Sequence, residues 1–390
     1  MPNSSLVIIG GGLNGMIAAC AMSKISQHVL LLDAAPKPNN TVINKAIVLN
    51  SYSIDFLQEI GLELTDDIIS VTSCHVSARR HFGRVRMKSS DINLPYLGKV
   101  VPYSTLYNLI SNLIATKNNI QIEYNCTVTD IDSKKSSITY KNGDSIQTIT
   151  APLVIAADGI NSSCRDFANI KCDKLDIEYS SLVLNVRMNK DPHTASVRFL
   201  TPGSIAKIPT SRSTSCIIWT MPKDIIKARQ ELPLPQLLNL ANNELGKSSG
   251  KIDKILESPI SYPIVVQKAQ EVSTSGMILL GNSALSLLPI TAQGLNIALR
   301  DLATIYQIMK SREGVSWNEK DAEHYASLRK EDHDWCFKQV QFLACIFARE
   351  NSILNIVRSC GLSIASTNPW LGDLIAIRGA GYFNYGSFNL

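Results

Sequence analysis

The sequence predicts an α/β protein with an inserted, mainly β domain and a helical C-terminal region. Three observations support this fold class. The first 33 residues contain a strand, a glycine-rich turn, a helix-like apolar segment and a second strand. Short strands dominate between residues 182 and 219, and the pattern after Asp301 is helical. A β-rich block between α/β segments indicates a separate sheet, which we expect to cover a pocket.

Composition narrows the class of protein. With 390 residues and 45% hydrophobic content, the chain can form two or three cores. Charged residues make up only 18%, which favours a large buried surface or an apolar ligand. The net charge of +5 is mild and the lysines are dispersed, so nucleic-acid binding is not expected. Nine scattered cysteines without zinc spacing indicate free thiols of a reducing cytosol and predict no metal site. No signal peptide and no membrane-spanning run are expected.

The N-terminal turn predicts dinucleotide binding. Gly10 permits the tight turn after the strand Leu6–Ile9, Gly12 lets backbone approach a pyrophosphate, and Gly15 lets helix and strand pack closely. The helix N-terminus adds free N–H groups and a positive dipole. Asp33 ends the second strand, where a carboxylate accepts hydrogen bonds from a ribose diol. The predicted contacts are therefore Gly10, Gly12, Leu13, Asn14, Gly15 and Asp33.

A second glycine-containing turn follows a buried strand in the middle of the chain. Residues 153–157 are apolar, and Asp158-Gly159 ends them at the carboxyl end, where ligands of α/β proteins bind. Taken alone, an Asp-Gly pair is most often only a turn.

The stretch from Gly281 to Asn296, GNSALSLLPITAQGLN, lies between two apolar runs. It has two glycines, a proline and amide side chains but no charge. The pattern predicts an irregular segment that returns to a packed helix near Leu295.

Taken in order, GGGLNG with Asp33, AADGINSSCR and GNSALSLLPITAQGLN resemble the flavoprotein aromatic monooxygenases of the para-hydroxybenzoate hydroxylase type. The resemblance is strongest to the ubiquinone-biosynthesis branch, which is 2-octaprenyl-6-methoxyphenol hydroxylase-like, and it covers most of the chain. KAIVLNSYSIDFLQEIGL, HVSARRHFGRVRM and GKVVPYSTL also resemble that branch. The implied fold has a Rossmann-like FAD-binding domain and a β-sheet substrate domain.

The resemblance implies a bound FAD, with NADH or NADPH as a transient reductant and O2 as co-substrate. A flavin C4a-hydroperoxide would transfer one oxygen atom to an electron-rich phenol ring. Because the cofactor carries this chemistry, no catalytic residue is assigned. Asp158-Gly159 becomes a flavin and pocket element rather than a plain turn. The further implied cofactor-binding positions are Lys45, Asp158, Gly159, Gly281, Asn282, Pro289, Gln293, Gly294, Leu295 and Asn296.

Several positions depart from the pattern of the resembled family. Ala292 stands where glycine is general, and its methyl group is expected to strain the turn or press on the flavin. Lys45 and Ser104 stand where arginine is common, and lysine keeps the charge but not the bidentate fork. Leu285 and Leu288 replace polar residues.

The expected boundaries place the FAD-binding domain at 1–72, 92–178 and 266–301. The β-sheet substrate domain would span 73–91 and 179–265, and the helical region 302–390. Within the basic run from residue 75 to 87, His81 is a candidate polar contact to substrate, although a surface or structural histidine is the commoner explanation.

The expected function is hydroxylation of a polyprenyl phenol in ubiquinone biosynthesis. The same motifs would serve a relative acting on another phenolic or an alkene, or a non-catalytic flavin-binding accessory subunit of a biosynthetic complex. The apolar segment from Trp335 to Val357 predicts a core helix or a dimer contact, which makes a homo-oligomer the expectation. Its second interpretation is peripheral docking of a cytoplasmic protein on the inner membrane.

Overall fold

The computed structural model describes residues 6–38, 45–65, 68–79, 84–132, 136–189, 191–289, 292–311, 316–347 and 376–382, with the side chains of 345–347 left out. The α-helices of these residues are α1 (Leu13–Met22), α2 (Ser51–Glu59), α3 (Tyr103–Ala115), α4 (Ser163–Phe167), α5 (Lys223–Gln230), α6 (Leu234–Leu245), α7 (Gly294–Lys310) and α8 (Glu319–Phe347).

The strands of the first half of the chain are β1 (Leu6–Ile9), β2 (Val29–Asp33), β3 (Ala46–Asn50), β4 (Ile69–Val71), β5 (Ser73–Ala78), β6 (Arg84–Lys88), β7 (Gly98–Pro102), β8 (Ile120–Tyr124), β9 (Cys126–Asp132), β10 (Ser137–Asn142), β11 (Ser145–Thr150) and β12 (Leu153–Ala156). Those of the second half are β13 (Cys172–Leu175), β14 (Tyr179–Met188), β15 (Thr194–Phe199), β16 (Ser204–Pro209), β17 (Thr214–Pro222), β18 (Ile252–Ile255), β19 (Ile260–Pro263), β20 (Val266–Ala269), β21 (Ser273–Thr274), β22 (Met277–Leu279) and β23 (Leu285–Ser286).

The first sheet has the order β21-β22-β12-β1-β2-β8 and is parallel except for β21. The helices α1, α3 and α7 cover one face, and the meander β9–β11 covers the other. Burial on both faces explains the continuous apolar runs of β1 and β12. The strand order changes direction between β1 and β12, which is where doubly wound sheets bind ligands.

The second large sheet has the order β18-β14-β17-β16-β15-β5-β6, with β19 also paired to β14. The helices α5 and α6 pack on one face of β14, β16 and β17, α5 through Ile226 and α6 through Leu237 and Leu245. The described parts of the basic run, on either side of residues 80–83, lie in β5 and β6, which join this sheet through the parallel pair β5–β15. The predicted α/β class with a separate, mainly β sheet is therefore confirmed, whereas the domain boundaries stay a prediction.

Two smaller three-stranded sheets have the orders β3-β7-β4 and β13-β20-β23. The long helix α8 packs against α7 and against β21. Residues 376–382 return to the start of α2, where the backbone N–H of Tyr52 donates to the carbonyl of Ala380 at 3.2 Å. Among the described helices, none is long and apolar enough to cross a membrane.

Candidate functional site

Three turns lie side by side at the carboxyl edge of the parallel sheet. They follow the adjacent strands β1, β12 and β22. The backbone N–H of Ala157 donates to the carbonyl of Ile9 at 2.8 Å, and that of Leu280 donates to the carbonyl of Ala156 at 2.8 Å. The structure therefore brings together the three glycine-containing segments that the sequence separates by more than 100 residues.

The turn between β1 and α1 is fixed by glycine. A Cβ on Gly15 would lie 1.8 Å from the carbonyl oxygen of Gly10, and one on Gly10, at φ +104°, would lie 2.4 Å from that of Ala157. A Cβ on Gly12, by contrast, would meet no described atom within 4 Å. Gly12 is the N-cap of α1, and the first turn has neither a side-chain cap nor an acid. Free N–H groups thus border open space, as an anion-binding helix start requires.

Two buried polar atoms next to this space have no hydrogen-bond partner among the described residues. They are Oδ1 of Asn14 and Oδ1 of Asp158. The other carboxylate oxygen of Asp158 accepts from the backbone N–H of Cys164 at 3.1 Å. The Asn14 side chain lies so close to Gly281 that an added Cβ there would be 1.9 Å from Nδ2. Because buried polar atoms normally have partners, these two mark a place for a polar ligand.

Asp33 lies at the end of β2 and is partly exposed. Its Oδ1 accepts from the backbone N–H of Ala35 at 3.2 Å. Its Oδ2 lies beside the backbone of Gly11, where an added Cβ would be 2.3 Å away. The carboxylate is therefore held against the glycine turn.

A clamp that the sequence argument did not assign joins the second and third turns. Buried Arg165, on α4, donates through Nη1 to the carbonyl of Ser283 at 3.1 Å and through Nη2 to the carbonyl of Ile160 at 3.0 Å. Gln267 also donates to the carbonyl of Ile160, at 2.8 Å. In the sequence this arginine is the last residue of AADGINSSCR, and its spacing from Asp158-Gly159 does not indicate its partners.

The start of α7 faces the same region. Gly294 is exposed, and an added Cβ would meet no described atom within 4 Å. The side chain of Asn296 donates to the carbonyls of Val48 at 2.8 Å and Ala292 at 2.6 Å, and accepts from the N–H of Asn50 at 2.9 Å. Asn296 thus ties α7 to β3, while the helix N-terminus stays without a side-chain cap or a first-turn acid.

Ala292 has a φ of +51°, in the left-handed region that glycine occupies without cost. The strain expected from alanine in place of glycine at position 292 is therefore present in the backbone. A left-handed residue with a Cβ costs about 1–2 kcal/mol.

A buried ion network joins α7 to α8. Arg300 donates to Oδ2 and Oδ1 of Asp332 at 2.7 and 3.1 Å and, through both Nη atoms, to Oε1 of Gln293 at 3.2 Å. Arg329 donates to Asp332 and, at 2.6 Å, to Asp301, which also bonds the ring of His333 at 2.8 Å. Burial alone would raise the carboxyl pKa values of Asp332 and Asp301, but these neighbouring cationic groups and hydrogen bonds outweigh it and lower both.

A cavity of about 430 Å³ lies between the start of α7 and the second large sheet. Its lining is mainly apolar and includes Pro289 and Ala292 on the α7 side and Val76 and Phe199 on the sheet side. Trp335, Gln339, Phe342 and Leu343 of α8 and Ala376, Gly379 and Ala380 also line it. The cavity is a partly open apolar site next to the helix start.

The remaining predicted residues lie as follows. Leu13 is buried in the first turn of α1 and Leu295 half-buried in that of α7. Asn282 is exposed in a 3-10 turn, and Gly159, at φ +87°, borders open space. The ammonium of Lys45 lies 5.3 Å from the ring centroid of Tyr262 on β19. His81 lies outside the described residues.

A family model described as the FAD binding domain matches residues 3–314, which is most of the chain. The chain belongs to this FAD-binding family. The open cradle beside Gly12, the unpaired oxygens of Asn14 and Asp158 and the carboxylate of Asp33 suit an FAD with its pyrophosphate and ribose.

Relatives and solved structures agree with this membership. The chain is 23% identical to the mitochondrial ubiquinone biosynthesis monooxygenase COQ6 of Caenorhabditis elegans, over 79% of this chain and 80% of that protein. It is 21% identical to the 3-demethoxyubiquinol 3-hydroxylase of Escherichia coli, over 80% and 82%. The fold is similar to that of p-nitrophenol 4-monooxygenase PnpA of Pseudomonas putida, with a TM-score of 0.76, 16% identity and coverage of 96% and 98%.

The predicted resemblance to FAD-dependent monooxygenases of the ubiquinone branch, the FAD cofactor and the enzyme class are thereby confirmed. NAD(P)H and O2 are the co-substrates typical of this family.

Proposed function

We propose that this FAD-binding protein hydroxylates the aromatic ring of a polyprenylated phenol in ubiquinone biosynthesis. The observation that carries the proposal is the apolar cavity beside the start of α7. Bound FAD, reduced by NAD(P)H, supplies the oxygen-activating chemistry. The chain supplies binding, orientation and exclusion of water.

In this proposal the three turns hold the cofactor. The first turn of α1 donates N–H groups to the pyrophosphate, and Asp33 accepts from a ribose diol. Asp158 and Asn282 bind polyol groups, and the backbone at Gly159 and Gly281 allows close approach. The open helix start at Gly294 faces the pyrimidine edge of the flavin, where N–H donors and the helix dipole favour negative charge. Pro289 stiffens the approach, and Lys45 adds a cation.

The cavity would receive the ring, and its apolar wall suits an isoprenoid tail. Phe342, with 62% of its surface exposed, lies where this wall meets solvent. The apolar walls limit the access of water to the reacting ring. The same proposal includes peripheral contact with the membrane that holds such substrates. It also includes homo-oligomerisation and partners in a biosynthetic complex.

The test begins with the visible spectrum of the purified protein and identification of the cofactor released by heat. The holoprotein is then mixed with NAD(P)H and a short-chain prenyl phenol, and the products are analysed. We expect substrate-stimulated NAD(P)H oxidation and a product with one added oxygen atom. FAD-loaded protein that turns over another phenolic, but no prenyl phenol, would contradict the proposed substrate. FAD binding without stimulated oxidation of NAD(P)H by any phenol would leave the accessory-subunit alternative.

A further inference from the structure

We infer that Gln339 on α8 is the side chain that hydrogen-bonds the phenolic oxygen of the substrate. The inference rests on the proposed function and adds the residue that recognises the hydroxyl group. It follows from the polar groups that line an otherwise apolar cavity.

The other carboxamide side chains among the described lining residues already form hydrogen bonds within the protein. Asn296 bonds Val48, Ala292 and the backbone of Asn50. The side chain of Asn50 caps α2 through the N–H of Ser53 at 3.0 Å and donates to the carbonyl of Gly379 at 3.2 Å. Gln293 accepts both Nη atoms of Arg300. Each of these three side chains would have to break a hydrogen bond within the protein in order to bind a ligand.

The cavity's lysine and serine point away from it. Lys207 of β16 stands opposite Ile217 of β17 and Ser196 of β15 in the sheet register. Ile217 packs in the core under α5 and α6, and the hydroxyl of Ser196 bonds that of Ser249 at 3.0 Å. Cross-strand partners share a face, so both side chains lie on the helix-covered side and only their backbone borders the cavity.

Two further groups are poor partners for a phenol. Burial raises the pKa of the Cys74 thiol to about 11, so this group is a neutral, weak donor. The Trp335 indole can donate but cannot accept, and its ring lies 5.0 Å from the Arg378 guanidinium.

Gln339 differs from all of these. It is half-buried, lines the cavity and makes no hydrogen bond to any residue that the structure describes. It lies one turn after Trp335 and one turn before Phe342 and Leu343, on the α8 face that borders the cavity. Its carboxamide can accept the phenol O–H and donate to the phenol oxygen, so it suits a neutral hydroxyl rather than a carboxylate.

The experiment compares two ligands on the FAD-loaded protein. One is a short-chain prenyl phenol and the other is the same molecule without the hydroxyl group. Dissociation constants are measured from the change in flavin absorbance for the natural chain and for Gln339→Leu. We expect the variant to bind the phenol about three- to tenfold more weakly and the deoxy ligand at least equally well.

The control is Gln341→Leu, the same substitution two residues along α8, on the side away from the cavity. We expect it to leave both constants unchanged. An unchanged phenol-to-deoxy ratio in Gln339→Leu, or an equal change in Gln341→Leu, would overturn the role of Gln339 alone. If the natural chain binds neither ligand, the proposed substrate class fails and this inference fails with it.

Discussion

Two helix starts face the proposed cofactor space, and they are held in different ways. The start of α1 is positioned by backbone contacts that only glycine permits, at Gly10 and Gly15. The start of α7 is positioned by side chains, through Asn296 to β3 and through Gln293 and Arg300 to α8. Both lack a side-chain cap and a first-turn acid. The comparison shows that local steric contacts can position one uncapped helix N-terminus, whereas hydrogen bonds between distant residues position another.

The largest effect is expected at α1. In Gly15→Ala the new methyl group would lie 1.8 Å from a backbone oxygen that cannot turn away. We expect the free energy of unfolding to fall by about 4 kcal/mol or more and FAD to be lost. Urea unfolding and cofactor content measure both.

Gly12→Ala is the matched control, because its methyl group would enter open space. The free energy of unfolding of the cofactor-free variant should then lie within about 0.5 kcal/mol of that of the natural chain. FAD should bind more weakly. Equal destabilisation by both substitutions would refute the steric account of the α1 turn.

The next effect is expected at α7. Arg300→Leu leaves Asp332 buried with one cationic partner fewer and removes the donors to Gln293. Breaking a buried ion pair costs about 3 kcal/mol or more, which urea unfolding of the cofactor-free protein would measure. Lys310→Gln, at the other end of α7, removes an exposed pair with Glu59 and a cation–π contact with Tyr306, and should cost about 1 kcal/mol or less. Similar losses in the two variants would show that the buried network does not hold α7.

Acid should weaken the ion network that holds α7. The carboxyl pKa values of Asp332 and Asp301 are lower in the folded protein than the unfolded value of roughly 4. Their stabilisation is therefore complete above that value and is lost as the pH falls below it through the folded pKa values. Unfolding free energies measured from pH 6 downwards should fall more steeply for the natural chain than for Asp332→Asn. Parallel pH profiles would contradict this assignment.

The smallest effect is a gain at the residue before the α7 cap. Ala292→Gly removes the cost of a left-handed alanine at φ +51° and should stabilise the protein by about 1 kcal/mol. The same substitution at exposed Ala228 within α5 should destabilise by about 0.5–1 kcal/mol. A loss of stability at position 292 would mean that the methyl group makes a favourable contact that outweighs the strain.

The two helix starts also differ in how far the sequence predicts them. The α1 turn was predicted from Gly10, Gly12 and Gly15 because the steric requirement acts between near neighbours in the chain. The irregular stretch before α7 was recognised, but its role came only from a family resemblance. Its supports join residues that are far apart, such as Asn296 to Val48 and Arg300 to Asp332, and no local pattern indicates such pairs.

The helical C-terminal region shows a similar limit. Apolar spacing from Trp335 onwards predicted a core helix or a dimer contact, since periodicity identifies a buried face but not what covers it. In the structure Cys336, Phe337 and Val340 are buried in a hydrophobic cluster, as expected of a core helix, whereas Trp335, Gln339 and Phe342 border the cavity. Residues 348–357 of that predicted segment lie outside the described residues. The cavity depends on where α8 lies relative to the second large sheet, which residue spacing does not determine.

The order of the chain gives the docking of residues 376–380 on α2 a consequence for synthesis. Every proposed cofactor contact has been translated once the ribosome passes Asn296, but the cavity wall still lacks Ala376, Gly379 and Ala380. At roughly 5–20 residues per second, the intervening 84 residues (380 minus 296) take roughly 4 to 17 seconds. During this period all residues of the proposed flavin site have been synthesised, but part of the adjacent cavity wall has not.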